Sequence, residues 1–308
     1  MSADPSNLST PAVLAIGHFD GVHLGHQAIF RTALAAAREH GGTAGCLTFS
    51  PHAAVVLAPE QAPLLLATPA QNRAYIEACG IASIHVLHFT RELAALEPAG
   101  FINMLRERFV NLREITVGSD FTFGRNRAGN ADTLPGLARA AGLTARILPH
   151  VAVDGAPVSS TRIRAAVGRG DMIAARTMLG RSFALAGKII RGQAVARTLG
   201  FPTANLAPHL PIRPAPGVYA ARLILPDGAY PGASFIPDTA DPRQAHFGDI
   251  VEIHVPGFER DLYGQEVEIS FTARLRAHQV FADSAAAIAQ IGEDVRQALA
   301  ADAQLAAD

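Results

Sequence analysis

Gly17-His18-Phe19-Asp20-Gly21-Val22-His23-Leu24-Gly25-His26 separates an apolar run, Ala12 to Ile16, from a stretch, Gln27 to Glu39, in which Ile29, Phe30, Leu34 and Ala37 recur at helical spacing. The run reads as a buried strand and the stretch as a helix, so the decapeptide is a strand-to-helix turn. At such a turn the first N–H groups of the helix lack intrahelical partners and carry partial positive charge, which favours a polyphosphate. His23 and His26, one turn apart, can donate to phosphate oxygens, and Gly25 between them lets the backbone approach a ligand closely. An isolated H-x-G-H is equally compatible with a tight turn carrying two solvated histidines; the full F-D-G-V-H-L-G-H string is much rarer by chance.

The alternation of strand and helix continues to residue 183. Ala44–Phe49, Ile84–Phe89, Glu114–Val117 and Thr144–Leu148 are further strand-like runs, each followed by a loop or helix. That order predicts an α/β fold with a parallel, Rossmann-like sheet and helices on its faces. Ligands of such folds collect at the carboxyl ends of the strands. Three motifs fall there: Gly17–His26, Thr48-Phe49-Ser50-Pro51-His52, and Val117-Gly118-Ser119-Asp120-Phe121-Thr122-Phe123-Gly124. They are expected to share one pocket.

From Phe183 onward shorter alternating runs take over, among them Val251–Val255 and Glu266–Phe271, with Pro226-Asp227-Gly228 as a hairpin turn between Val218–Leu225 and Tyr230–Ile236. This half is expected to be antiparallel, with a helix from Ser284 to Ala303 closing a small β-barrel. The boundary falls near Gly180–Ala186, giving domains 1–183 and 184–308. A chain of 308 residues is long enough for two cores. Its formal net charge of −1, without basic blocks, argues against a nucleic-acid partner. Cys46 and Cys79 lie in apolar surroundings without metal-ligand spacing and are expected to be buried, reduced thiols. Without a leader-like N-terminus or a membrane-length apolar run, the chain reads as a cytoplasmic enzyme with no membrane partner. Its oligomeric state is not legible.

Val158-Ser159-Ser160-Thr161-Arg162-Ile163-Arg164 is the second chemical signal. Its hydroxyls stand where a helix would begin, so side-chain oxygens, orphan N–H groups and Arg162 can meet one anion. Alone it reads more readily as an ordinary capped helix with solvated arginines. Together with the first motif it suits nucleotidyl transfer: a substrate phosphate attacking the α-phosphorus of ATP needs no protein nucleophile, only charge neutralisation and in-line positioning.

The strings G-H-F-D-G-V-H-L-G-H-Q, T-F-S-P-H, V-G-S-D-F-T-F-G-R-N-R-A-G and S-S-T-R-I-R-A-A-V-G-R-G-D, followed by L-G-F-P-T-A-N-L, P-G-V-Y and D-L-Y-G, together resemble the prokaryotic bifunctional riboflavin kinase/FMN adenylyltransferase (FAD synthetase) family over nearly the whole chain. The resemblance implies a nucleotidyltransferase module that makes FAD and pyrophosphate from FMN and ATP, joined to a six-stranded riboflavin kinase barrel that makes FMN from riboflavin and ATP. It implies that His23 and His26 hold the ATP phosphates with Gly17, Phe19, Asp20 and Gly25. It implies also that Ser160, Thr161 and Arg162 bind the triphosphate and leaving pyrophosphate, and that His52, Asp120, Phe121, Phe123 and Gly124 line the nucleotide and flavin pocket. Ala53 stands where the family usually has proline.

In the kinase half a neutral alcohol must lose a proton, so a general base and Mg²⁺ are wanted. Glu252, in an alternating strand before Asp261-Leu262-Tyr263-Gly264, is the candidate base, and Thr203 and Asn205 match the family's Mg²⁺ and ATP ligands. Several positions depart from the pattern: Val195 and Ala196 in the loop Gly192–Gly200, Phe235-Ile236-Pro237 in place of N-I-G, a short loop to Asp249, and His278 after Leu275-Arg276-Ala277. These predict a weakened kinase beside an intact transferase. Two other readings stay open: a nucleotidyltransferase using another phosphate acceptor, and a FAD synthetase whose barrel is a non-catalytic flavin-binding or regulatory module.

Overall fold

The structure, a computed structural model, describes residues 12–192, 195–242, 244 and 248–307. The reading of the N-terminus, and parts of the readings of the Gly192–Gly200 loop and of the loop to Asp249, fall outside those residues. Five parallel strands, β1 (Ala12–Ile16), β2 (Thr43–Ser50), β3 (Ser83–His88), β4 (Leu112–Gly118) and β5 (Thr144–Leu148), form a sheet in the order β3-β2-β1-β4-β5. The order reverses at β1, which pairs with β2 on one side and β4 on the other. A reversal of this kind opens a crevice at the carboxyl ends of the strands.

β1 is apolar at every position because both faces are covered. Val13 and Ala15 join a core with Phe30, Ala33 and Ala37 of α1 (Leu24–Glu39) and Ile76 of α2 (Pro69–Ala78). Leu14 and Ile16 join the opposite core with Phe101, Ile102 and Leu105 of α3 (Pro98–Arg108) and Leu134 and Ala138 of α4 (Leu134–Ala140). Cys46 is buried in the first core, and burial pushes its thiol pKa well up. Cys79 is half-buried instead of buried, because it lies at the helix end rather than in a strand. Neither forms a disulfide.

The chain divides into two compact units near residues 159/160, with residues 64–68 belonging to the second. That unit holds α5 (Ser160–Arg169), α6 (Met172–Leu179) and a closed barrel of β6 (Phe183–Ile190), β7 (Ala204–Pro208), β8 (Gly217–Leu225), β9 (Gly228–Ile236), β10 (Val251–His254) and β11 (Glu266–Arg276), in the order β6-β7-β10-β9-β8-β11. The β8–β9 ladder runs to Leu225 opposite Gly228, so Pro226-Asp227 is the turn. The barrel closes through β6 and β11, in register from Phe183↔Phe271 to Lys188↔Glu266. The C-terminal helix α7 (Ser284–Ala307) therefore does not close the barrel, as its amphipathic pattern suggested; it lies against β8, β9 and β11.

A buried ion pair fastens that helix. Arg276 of β11 donates from Nε and Nη2 to the two carboxylate oxygens of Asp294, at 2.8 and 2.7 Å, and Asp294 is 2% exposed. Asp294→Ala would leave the guanidinium without its counter-charge, and is expected to cost about 3 kcal/mol. A lowered denaturation midpoint of the barrel, with FAD formation unchanged, is the readout.

Candidate active sites

The turn after β1 is built from unusual backbone. Phe19 (φ 49°), Gly21 (φ 76°) and Val22 (φ 40°) all lie in the left-handed region, which a β-branched valine adopts only when its surroundings force it. The forcing groups are identifiable. The Phe19 ring is buried against Phe30, with centroids 4.6 Å apart. The Gly21 N–H donates to Asn72 Oδ1 of α2 at 2.9 Å, and the Val22 carbonyl accepts from the Gln27 carboxamide at 3.0 Å. Strained non-glycine backbone held this firmly is characteristic of ligand-binding turns.

The helix starts at Leu24, three residues before the apolar periodicity suggests, and His23 is its N-cap. The His23 Nδ1 accepts from the His26 backbone N–H at 3.4 Å, which leaves Nε2 as the donor of a neutral ring. The His26 ring stacks on it with centroids 3.6 Å apart and planes 19° apart. Gly25 makes this possible, since a Cβ there would stand 3.0 Å from the His23 ring. The glycine serves the histidine stack as well as close backbone approach. Gly17 similarly admits the Phe19 ring, which would meet a Cβ at 3.1 Å. Asp20 is buried at the turn.

The second carboxyl-edge motif meets this turn, and the third lies beside α1. Thr48 Oγ1 of β2 donates to the His18 carbonyl at 3.0 Å, and the His18 and His52 rings stack at 4.2 Å. His52 caps the short helix Ala53–Leu57, its Nδ1 accepting from the Ala54 N–H at 3.2 Å. Ala53 thus begins a helical turn. Gly118, ending β4, lies beside α1: a Cβ there would be 3.6 Å from Ile29 Cδ1 and 2.9 Å from Asp120 Oδ1. Asp120 is exposed. Phe121 is half-buried and stacks on Phe123 at 5.4 Å, whereas Phe123 is sunk in the core against Phe101. Gly124 (φ 71°) brings the backbone onto Pro98, whose N would be 2.9 Å from a Cβ.

Ser160, Thr161 and Arg162 form the first turn of α5, with Ile163 buried behind them. The neighbouring Arg164 is committed elsewhere, donating to the Leu64 carbonyl at 2.6 Å.

On the barrel, Val251 and Ile253 are fully buried and Glu252 lies on the opposite strand face. Glu252 is in register with Asn205 of β7 on one side and Phe235 of β9 on the other, so the three side chains share a face. Burial raises the Glu252 pKa, partly offset by a hydrogen bond from the Thr203 hydroxyl. Asn205 is buried, and the Gly192 backbone passes so near that a Cβ there would collide with its carboxamide. Phe235 and His278 approach each other at 6.0 Å between ring centroids. Pro237 is buried. Thr203, Asn205 and Glu252 can each present a hard oxygen ligand, which suits Mg²⁺. His18 went unassigned in the sequence; its signal is the contact with His52, which only the fold supplies.

Imidazoles at a helix N-terminus, and a carboxylate beside hard oxygen groups on a second module, are groups suited to a transferase that handles phosphorylated substrates. Residues 6–162 match the FAD synthetase family and residues 179–301 the riboflavin kinase family. The chain is 35% identical to the bifunctional riboflavin kinase/FMN adenylyltransferase of Pseudomonas fluorescens, over 94% of this chain and 92% of the relative. It is 32% identical to that of Bacillus subtilis (94% and 92%) and 31% identical to that of Escherichia coli K12 (92% and 90%). It belongs to the bifunctional riboflavin kinase/FMN adenylyltransferase family. Among solved structures, a Streptococcus pneumoniae chain described as a macrolide-efflux protein superimposes with a TM-score of 0.82 at 26% identity, covering 94% of this chain and 95% of that one. Among the described residues no helix is long and apolar enough to cross a membrane.

Proposed function

We propose that this chain makes FAD from FMN and ATP at the carboxyl edge of the parallel sheet, and that its barrel phosphorylates riboflavin more slowly. The strained Phe19–Val22 turn, which holds His23 and His26 in a stack at the start of α1, carries the first part. A phosphate oxygen of FMN attacks the α-phosphorus of ATP in line and pyrophosphate leaves. His23, His26 and the first N–H groups of α1, with Gly17, Phe19, Asp20 and Gly25 shaping the turn, neutralise the developing charge. Ser160, Thr161 and Arg162 take the triphosphate and pyrophosphate, and His52, Asp120 and Phe121 face the nucleotide and flavin, with Phe123 and Gly124 supporting them.

In the barrel, Glu252 is the base that accepts the riboflavin hydroxyl proton, and Thr203 and Asn205 would hold Mg²⁺, which neutralises phosphate charge when bound. Phe235 beside Glu252 and the buried Pro237 support slow turnover, since they replace small or polar groups on the flavin side of that carboxylate. We place the enzyme in the cytoplasm, acting on ATP, FMN and riboflavin without nucleic acid. Incubation with ATP, Mg²⁺ and either FMN or riboflavin, followed by separation of FMN from FAD, tests both halves; no FAD from FMN overturns the transferase.

The catalytic boundary is proposed at 183/184, so residues 1–183 are expected to retain FMN adenylation. The fragment pays for the cut in stability. Met172, Ala175, Met178 and Leu179 of α6 are buried, and α6 packs on β6 and β11, so its face is bared without the barrel. A fragment with FAD-forming activity but a lower thermal midpoint is the expected result; a folded fragment without activity refutes the boundary.

A further inference from the structure

α5, whose first turn supplies Ser160, Thr161 and Arg162, belongs to the same compact unit as the barrel, and its far end has a seat there. The helix gives way to Gly170 (φ 76°), whose N–H donates to the Val167 carbonyl at 2.9 Å, and α6 follows at once with Asp171 as its cap. Gly170 is buried because this corner presses on two barrel residues: a Cβ there would stand 2.6 Å from the Tyr219 hydroxyl and 2.9 Å from Arg274 Cδ. Tyr219 of β8 and Arg274 of β11 are opposite one another in the ladder, so they form one surface. Both are tied in place. Tyr219 is fully buried, its ring edge-on to Phe271 at 5.6 Å and its hydroxyl donating to the Ala215 carbonyl. Arg274 Nη2 donates to the Pro216 carbonyl at 2.6 Å. Burial pushes the Tyr219 phenol up to about 12, against the opposing charge of Arg274, so the hydroxyl keeps its proton near neutral pH.

We propose that Tyr219 and Arg274 are positioning residues for adenylyl transfer: they fix the corner at Gly170, and with it the placement of Ser160, Thr161 and Arg162 for the ATP phosphates. The proposal rests on the reading that the first turn of α5 takes the triphosphate. The helix is only ten residues long, about 15 Å, so a displacement at one end reaches the other. Ile163, Ala166 and Val167 are buried along it, and Arg164 is tied to the Leu64 carbonyl, so it moves as a body. The seat contributes no group to the reacting atoms. A chain that lacks the barrel therefore still turns over at saturating ATP.

The test uses the full chain and reads KM for ATP in FAD formation. Gly170→Ala puts a methyl group into the seat and is expected to raise that KM about 10-fold, with KM for FMN unchanged, since misplacing positioning groups by about 1 Å is costly. Gly142→Ala separates collision from backbone strain: Gly142 has the same φ of 76° but open space where a Cβ would stand, and its replacement should leave the KM unaltered. Tyr219→Phe added to Gly170→Ala removes the hydroxyl that the methyl meets, and should return the KM to within about 3-fold of wild type. Arg274→Ala, at an exposed residue, should raise it about 3-fold through lost packing, and decides the matter if Gly170→Ala does not fold. Thermal midpoints establish folding. A wild-type KM in folded Gly170→Ala, or in Arg274→Ala where the former does not fold, overturns the proposal. So does a rise that Tyr219→Phe leaves in place, or one that Gly142→Ala reproduces. Arg162→Ala, measured alongside, tells the two failures apart: full activity there would overturn the reading of α5 as the triphosphate clamp, whereas an impaired Arg162→Ala beside an unaltered Gly170→Ala removes the seat alone.

Discussion

His26→Ala is expected to lower FAD formation from FMN and ATP by about 10²-fold or more, the usual loss when one pre-positioned donor to a developing oxyanion is removed. His26 is a cleaner probe than His23. The His23 ring is also the N-cap acceptor of α1, and losing a cap acceptor costs about 1 kcal/mol of stability in its own right. The His26 ring stacks on His23 and meets Phe19 edge-on at 5.2 Å, contacts that a truncated side chain gives up without altering the turn's hydrogen bonds to Asn72 and Gln27. The loss should appear in kcat more than in KM, because the donor matters most where charge develops. Arg162→Ala is expected to lose a comparable factor, since a guanidinium compensates the leaving pyrophosphate. His26→Gln, which keeps an N–H donor, should recover part of the rate. Equal rates for His26→Ala and wild type would remove His26 from the reaction.

The fold was legible where burial is two-sided. β1 ends at the residues where its apolar run ends, Ala12–Ile16, because the edge of the core is also the edge of the strand; β5, an edge strand with no fully buried residue, matches the expected Thr144–Leu148 without that constraint. The start of α1 was not: Leu24 and Gly25 break the apolar period, and its cap is a histidine, outside the usual Ser, Thr, Asp and Asn. β11 runs on to Arg276, past the alternation that stops at Phe271, because its ladder with β8 shifts register at Val218/Tyr219 and Ala220/Ala221, and each shift breaks the period of two. In the candidate sites, residue type and spacing singled out His23 and His26, whereas Thr203 came from the family resemblance and Glu252 from strand alternation together with it. Pairings between distant segments were hidden: His18 on His52, Thr203 on Glu252, and Phe235 in register with Glu252. So was the split between Phe121 and Phe123: two residues apart, they would share a face of a regular strand, yet Phe121 is half-buried and Phe123 is sunk in the core.

Glu252→Gln is expected to abolish riboflavin phosphorylation while leaving FMN adenylation intact, because the amide keeps the shape of the side chain and loses the group that takes the proton. The wild-type ratio of the two activities comes first: phosphorylation well below adenylation fits Phe235 crowding the same strand face as Glu252, and equal rates would make the departures around it harmless. The acid limb carries a second signature. Burial disfavours the ionised carboxylate and holds its pKa above the ordinary glutamate range, and only the ionised form accepts a proton, so kinase activity should fall away on acidification at a higher pH than an exposed glutamate would give. Thr203→Val removes the hydrogen bond that favours ionisation and should move that limb higher still. Stability runs the other way. With a folded-state pKa above the unfolded one, the contribution of Glu252 is most favourable below the unfolded value and is lost as pH rises through the folded value. Glu252→Gln should therefore raise the barrel's denaturation midpoint at neutral pH as it removes kinase turnover, a pairing of gain and loss that a residue serving only the fold would not produce.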